Sequence, residues 1–251
     1  MNLTFIWEQK AEMNDLERLF NNSFSPWWDH VNSHINKLKN DITWNVLPLA
    51  VMSVYKYAGH NRQMSIAMSN VFRNCYLAHS IHASVRDDDE GQQYDQELHY
   101  NILIGDYVSG YILKNLVELN QESIVGEFAI MISKINQGML IKHKLCGDYC
   151  EVIRTTRAPF YETAFLTAAR LAGHDIKVCN LYNQMGFNLG MSIELGQSQE
   201  FRDRAQTYFH ECETLFHKIN RKNNNPNSNL EKAIKDLHYH FYNDVGESAV
   251  I

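Results

Sequence analysis

Proline is scarce in this chain, with four in 251 residues, at positions 26, 48, 159 and 226. So few breakers leave room for long helices, and no Asn-Gly or Asp-Gly pair marks a tight hairpin. No Lys/Arg-dense stretch is present, and the net charge is -6 with a pI near 6.0. That balance argues against nucleic acid or an anionic membrane as the main partner. No uninterrupted apolar run approaches the ~18 residues a membrane span requires. The first residues lack the basic segment of a signal peptide, so the expectation is a cytoplasmic protein without a transmembrane segment. The five cysteines (Cys75, Cys146, Cys150, Cys179 and Cys212) are an odd number in a chain long enough to hold its own core. Reduced thiols are the simplest account of them.

What is present is helix-period hydrophobicity from end to end, which predicts one all-α domain over residues 1–251. Two N-terminal helices are expected on either side of Ser25-Pro26, then an apolar helix over 47–57 with Pro48 in its first turn. A turn at Gly59 precedes a buried helix over 64–84. Residues 101–120 are apolar around most of the circumference, which predicts burial in the chain or in a partner. Ile124, Phe128, Met131, Ile132, Ile135 and Met139 step by three and four, the stripe of an amphipathic helix. Helices are expected over 160–171, 176–195 and 199–221, with a last amphipathic one after an Asn-rich loop at 221–229. Gly186 and Gly190 lie one turn apart, a spacing that permits close helix contact at a cost in helix propensity.

Candidate chemistry is sparse. Asp87, Asp88 and Asp89, followed by Glu90 and Gly91, read as a solvated loop or as the remnant of a metal site with no third spaced carboxylate. His143, Cys146 and Cys150 lack an obvious fourth zinc ligand, and His210, Cys212 and His217 are close only in sequence. No nucleophile–base–orienter set is recognisable. Tyr107 and Tyr111 face either a partner or the chain's own core.

The apolar run entering Gly105-Asp106-Tyr107 resembles a segment of the all-trans polyprenyl diphosphate synthases. Three further segments follow that family's order: Leu47-Pro48-Leu49, Glu162-Thr163-Ala164, and residues 181–198 with Gly186, Leu189 and Gly190. The resemblance covers residues 43–200, with N-terminal helices over 1–42 and C-terminal ones over 201–251, and implies a single-domain isoprenoid-synthase-like helical bundle. In that family, two aspartate-rich motifs hold magnesium and basic residues hold diphosphate. Here Thr43, Trp44 and Asn45 stand where Gly-Lys-Arg belongs, and Glu162 replaces a lysine. Glu194 replaces a glutamine, while Gln197 and Ser198 replace the second motif's aspartates. This pattern of loss is similar to component 1 of heptaprenyl diphosphate synthase, the small subunit of the heterodimeric enzymes that supply the menaquinone side chain.

The resemblance implies no catalytic residue and no cofactor in this chain. Magnesium and both aspartate-rich motifs would sit in a catalytic large subunit. It also implies a partner interface on the helix bearing Leu103, Tyr107, Tyr111 and Ile112. Two alternatives stay open, a divergent active isoprenoid synthase using Asp87, Asp88, Asp89 and Glu90, and a non-enzymatic scaffold with the same fold.

Overall fold

A computed structural model describes residues 10–24, 28–85, 96–145, 147–223 and 229–242. Among them there is no strand, and eleven α-helices run in chain order. The first four are α1 (Lys10–Ser23), α2 (Trp28–Lys37), α3 (Ile42–Tyr57) and α4 (Arg62–Ala83). Next come α5 (Gln96–Glu118), α6 (Val125–Lys144), α7 (Tyr149–Thr156) and α8 (Ala158–Leu171). The chain continues through α9 (Ile176–Leu195), α10 (Arg202–Asn223) and α11 (Asn229–Tyr242).

The helix starts follow side-chain chemistry. Asp41, Asn61 and Asp175 each accept a hydrogen bond from the backbone N–H three residues on, at 2.8–2.9 Å, and so satisfy orphan donors of α3, α4 and α9. Gly59 and Gly173 take positive φ just beyond α3 and α8, the left-handed turn that ends a helix at no Cβ cost. Pro48 departs from expectation. Because Asp41 caps α3 earlier than the apolar pattern suggests, Pro48 is its seventh residue rather than part of its first turn. The helix survives because it is buried on nearly every side, where packing outweighs one lost backbone hydrogen bond. The short α7 has no counterpart in the sequence reading.

α3 and α4 form the centre. α8 packs on α3, α9 on α8, α10 on α9, and α6 on α7 and α8, while α5 packs chiefly on α4. The core is rich in large aromatic side chains, among them Tyr55, Phe72, Tyr76, Phe160, Phe165 and Tyr182. Where these carry hydroxyls, some find partners across helices, as when Tyr55 bonds Thr167 Oγ1 at 2.9 Å between α3 and α8. On the opposite side, Arg73 of α4 lies over the rings of Phe20 and Trp44 at 4.4 and 4.5 Å and bonds Glu17 at 2.7 Å, clamping α1 onto the bundle.

The stripe on α6 is buried at Phe128, Met131 and Ile135, but Ile132 turns outward. Residues Glu122–Lys144 form the one helix among the described residues long and apolar enough to cross a membrane by length and composition. This stretch nonetheless carries Glu127 paired with Arg170 and Lys134 paired with Glu162, and its inner stripe joins the core.

Gly186 and Gly190 do what their spacing suggests. A Cβ at Gly186 would overlap the carbonyl oxygen of Tyr161 and come within 2.8 Å of Phe165 Cβ. One at Gly190 would meet Ala158 Cα at 3.1 Å. Gly186→Ala should therefore destabilise by about 1–3 kcal/mol in urea unfolding, because backbone must move. Gly126→Ala, in open space on α6, should instead gain up to about 1 kcal/mol from helix propensity. Equal effects at the two sites would refute the close-packing account.

Candidate functional site

One end of the bundle gathers the start of α3, the α7–α8 junction and the last turn of α9 around Tyr76 of α4. Asp41 serves two elements: its Oδ1 caps α3, and its Oδ2 accepts from Tyr76 Oη at 2.8 Å. Arg157, between α7 and α8, approaches Asp41 Oδ2 at 3.5 Å and lies 5.0 Å over the Tyr76 ring. Thr43, wholly buried, donates its hydroxyl to Glu194 Oε1 across 151 residues of sequence. Glu194 is 6% exposed. Burial pushes its carboxyl up to about 7, against the pull of Arg157 and of the Thr43 hydrogen bond. The Tyr161 hydroxyl lies buried beside Thr43 without a hydrogen-bonding partner in good geometry.

The substituted positions are largely occupied by internal contacts. Asn45 donates its amide to the backbone of Lys39 and Asp41, at 3.0 and 2.8 Å. Glu162 takes Lys134 Nζ at 2.6 Å and Asn183 Nδ2 at 3.2 Å, joining α8 to α6 and α9. Gln197, exposed beyond the end of α9, bonds the carbonyl of Ile193 at 3.3 Å, and Ser198 is half-buried in the same turn. Asp87, Asp88 and Asp89 lie outside the described residues.

Leu103 and Tyr107 point away from the core, with Leu103 64% exposed. Tyr111 is half-buried against Phe24, ring centroids 5.9 Å apart. Ile112 is a correction to the expected interface: at 4% exposed it belongs to this chain's own core, because α5 turns that face toward α4. α5 as a whole is not buried around its circumference. Its inner face (Ile104, Val108, Ile112, Leu116) packs, while Leu113 and Val117 stay exposed.

Between α4, α5, α6 and α8 lies a cavity of about 340 Å³, lined by Ala78, Ile112, Met131, Ile135 and Phe160 with His79 and His82. The same two histidines border a wider opening with His143 and Lys144. Gly105 makes room for His82: a Cβ there would lie 2.7 Å from the imidazole ring, whose Nε2 is 3.4 Å from Asp106 Oδ1. The Gly105-Asp106 pair thus shapes one side of the opening. Burial, together with Lys142 and His82, holds His79 down to about 4.

The chemistry of this end is that of a closed polar interior. Gln197 and Ser198 present no carboxylate, and among the described residues no three His, Cys, Asp or Glu side chains are grouped to hold a metal ion. These residues do not fit magnesium, which asks for several hard oxygen ligands. Asp41, Tyr76, His79 and Arg157 had no role in the sequence reading. Only Asp41, an Asx residue directly before an apolar helix, carried a signal that could have found it.

No family model matches the chain, and no curated protein matches its sequence. Solved structures do. A geranylgeranyl pyrophosphate synthetase from the archaeon Geoglobus acetivorans superposes with a TM-score of 0.75 at 13% identity, covering 96% of this chain and 100% of its own. A polyprenyl synthase from Caulobacter crescentus CB15, complexed with calcium and isoprenyl diphosphate, gives 0.72 at 14% identity over 93% and 94%. The small subunit of geranyl diphosphate synthase from Antirrhinum majus gives 0.68 at 12% identity over 96% and 99%. The chain has the isoprenoid synthase fold.

His79 provides a direct check on the site's geometry. In a proton NMR titration, its imidazole should remain neutral down to about pH 4, well below the ordinary histidine value of about 6.5. The signal absent from His79→Gln identifies it. A His79 midpoint near 6.5 would mean that the cavity wall is wetter than described.

Proposed function

We propose that this chain is the small, non-catalytic subunit of a two-component trans-polyprenyl diphosphate synthase. In this reading it is component 1 of a heptaprenyl diphosphate synthase supplying the menaquinone side chain in the cytoplasm. A catalytic large subunit contributes both aspartate-rich motifs and the magnesium. This chain completes the dimer and helps set product length.

One observation carries the reading. The scaffold persists while its diphosphate-handling positions are engaged internally: Asn45 with backbone, Glu162 with Lys134 and Asn183, and Glu194 with Thr43. A carboxylate at 162 would in any case repel a diphosphate. That a small subunit of geranyl diphosphate synthase has the same fold agrees with this reading.

The proposed contact surface is the outer face of α5 and the neighbouring parts of α6. Most of the exposed large apolar side chains among the described residues lie between 102 and 145, including Leu103, Tyr107, Val117, Ile130 and Leu140. Ile130 is 69% exposed. Clustering of this kind along two helices is what a partner-binding face requires, whereas single exposed apolar residues scattered over a surface need no explanation.

The test is a condensation assay with farnesyl diphosphate, isopentenyl diphosphate and magnesium on this chain, a candidate large subunit, and their mixture. Turnover is expected only in the mixture. Turnover by this chain alone would overturn the non-catalytic assignment and favour an enzyme built on Asp87, Asp88 and Asp89. Leu103→Asp with Tyr107→Asp should leave the chain folded by circular dichroism but abolish co-elution with the large subunit. Undiminished co-elution would move the interface elsewhere.

A further inference from the structure

Independently of any partner, the polar end of the bundle has an unbalanced inventory of charge. Two carboxylates, Asp41 and Glu194, share the guanidinium of Arg157. The groups around Glu194 come from each element packed there. The α3 start supplies Asp41 and Thr43, the α7–α8 junction Arg157, α8 Tyr161, and α7 Tyr149. α10 presents Ala205 and Tyr208 to the apolar cluster beside it, which includes Leu195 and Cys150, and its Arg204 donates to Cys150 Sγ at 3.1 Å. Arg157 is already committed to Asp41 and to the Tyr76 ring. An ionised Glu194 would therefore leave a net negative charge in a site nearly sealed from water, which is costly.

We propose that Glu194 takes up a proton as part of folding, so that the seam between the start of α3 and the end of α9 is a proton-operated latch. Protonated, the carboxyl accepts from Thr43 and adds no charge to the cluster. Ionised, it repels Asp41 and competes with it for Arg157. Either response loosens the cap of α3 or the last turn of α9. The last turn of α9 leads directly into the turn bearing Gln197 and Ser198, so the latch controls the order of this end of the bundle.

The direction with pH follows from linkage. A carboxyl near 7 in the folded chain and near 4.5 in the unfolded one binds more protons when folded. Its contribution is complete below about pH 4.5 and is lost as pH rises toward 7. His79, held low, has the opposite slope between about 4 and 6.5, so the raw profile mixes the two. Comparison with Glu194→Gln isolates the latch, because the amide keeps an acceptor for Thr43 and cannot ionise.

The experiment is urea unfolding of the full chain and of Glu194→Gln from pH 5 to pH 8.5, with hydrogen exchange of the α3 and α9 termini at both extremes. Relative to the variant, the wild-type folding constant should fall roughly a hundredfold across that range. After correction for intrinsic exchange, the wild-type termini alone should lose protection at high pH. Parallel pH profiles for the two proteins would overturn the proposal. If Glu194→Gln does not fold, infrared difference spectra of the wild type decide. A protonated-carboxyl carbonyl band that disappears near neutral pH supports the latch, and no such band between pH 5.5 and 8.5 rejects it.

Discussion

The close approach of α8 and α9 is the constraint on which the rest of this end of the molecule depends. Two glycines one turn apart let the α9 backbone settle against Tyr161, Phe165 and Ala158, at distances no larger residue would tolerate. A helix held that close is fixed in rotation as well as in distance. Its last turn therefore brings Glu194 to Thr43 and Arg157, while its middle brings Asn183 to Glu162. A wider spacing would separate the Thr43–Glu194 pair and admit water around the carboxylate. The helix propensity lost at two glycines is about 1 kcal/mol each, a modest cost beside the burial it permits.

Charge inside the bundle follows a consistent rule. Buried or half-buried ionic groups are matched between helices rather than along one: Lys134 with Glu162, Arg170 with Glu127, Arg73 with Glu17, Arg157 with Asp41. Such pairs contribute little net stability compared with apolar packing, but breaking one leaves an uncompensated buried charge. They therefore specify which helices meet. Glu194 is the exception, with a hydroxyl and a shared guanidinium in place of a dedicated cation, and its raised carboxyl is the consequence.

Much of the fold was legible because its signals are local. Period-3.6 stripes marked α6, α9 and α10, glycine marked the turn after α3, and the Gly186/Gly190 spacing marked a close helix contact. The failures have physical causes. Pro48 points to a first helical turn because proline favours that position, yet Asp41 caps α3 upstream and tertiary burial carries the proline. The apolar circumference of α5 predicts burial in the chain or in a partner, and composition does not say whether the neighbour that covers the second face lies in the same chain. The Thr43–Glu194 contact joins residues 151 apart, and no local pattern encodes it. Substitutions at 45, 162 and 194 were visible as departures from a motif, whereas what each side chain does instead became visible only through its partners.

The interior and the surface of this chain differ in how far their groups are satisfied. Helices with one apolar face need one neighbour, and α4, α8 and α9 each find theirs within the bundle. α5 is apolar on two faces and packs chiefly against α4, so Leu103, Leu113 and Val117 on its outer face remain in water. At roughly 25 cal/mol per Å², several hundred Å² of such surface represents a sizeable driving force for association. A gain of that size, minus the entropy of joining two molecules, is available only to a partner with a complementary face. The polar end is closed on itself while an apolar side is left open.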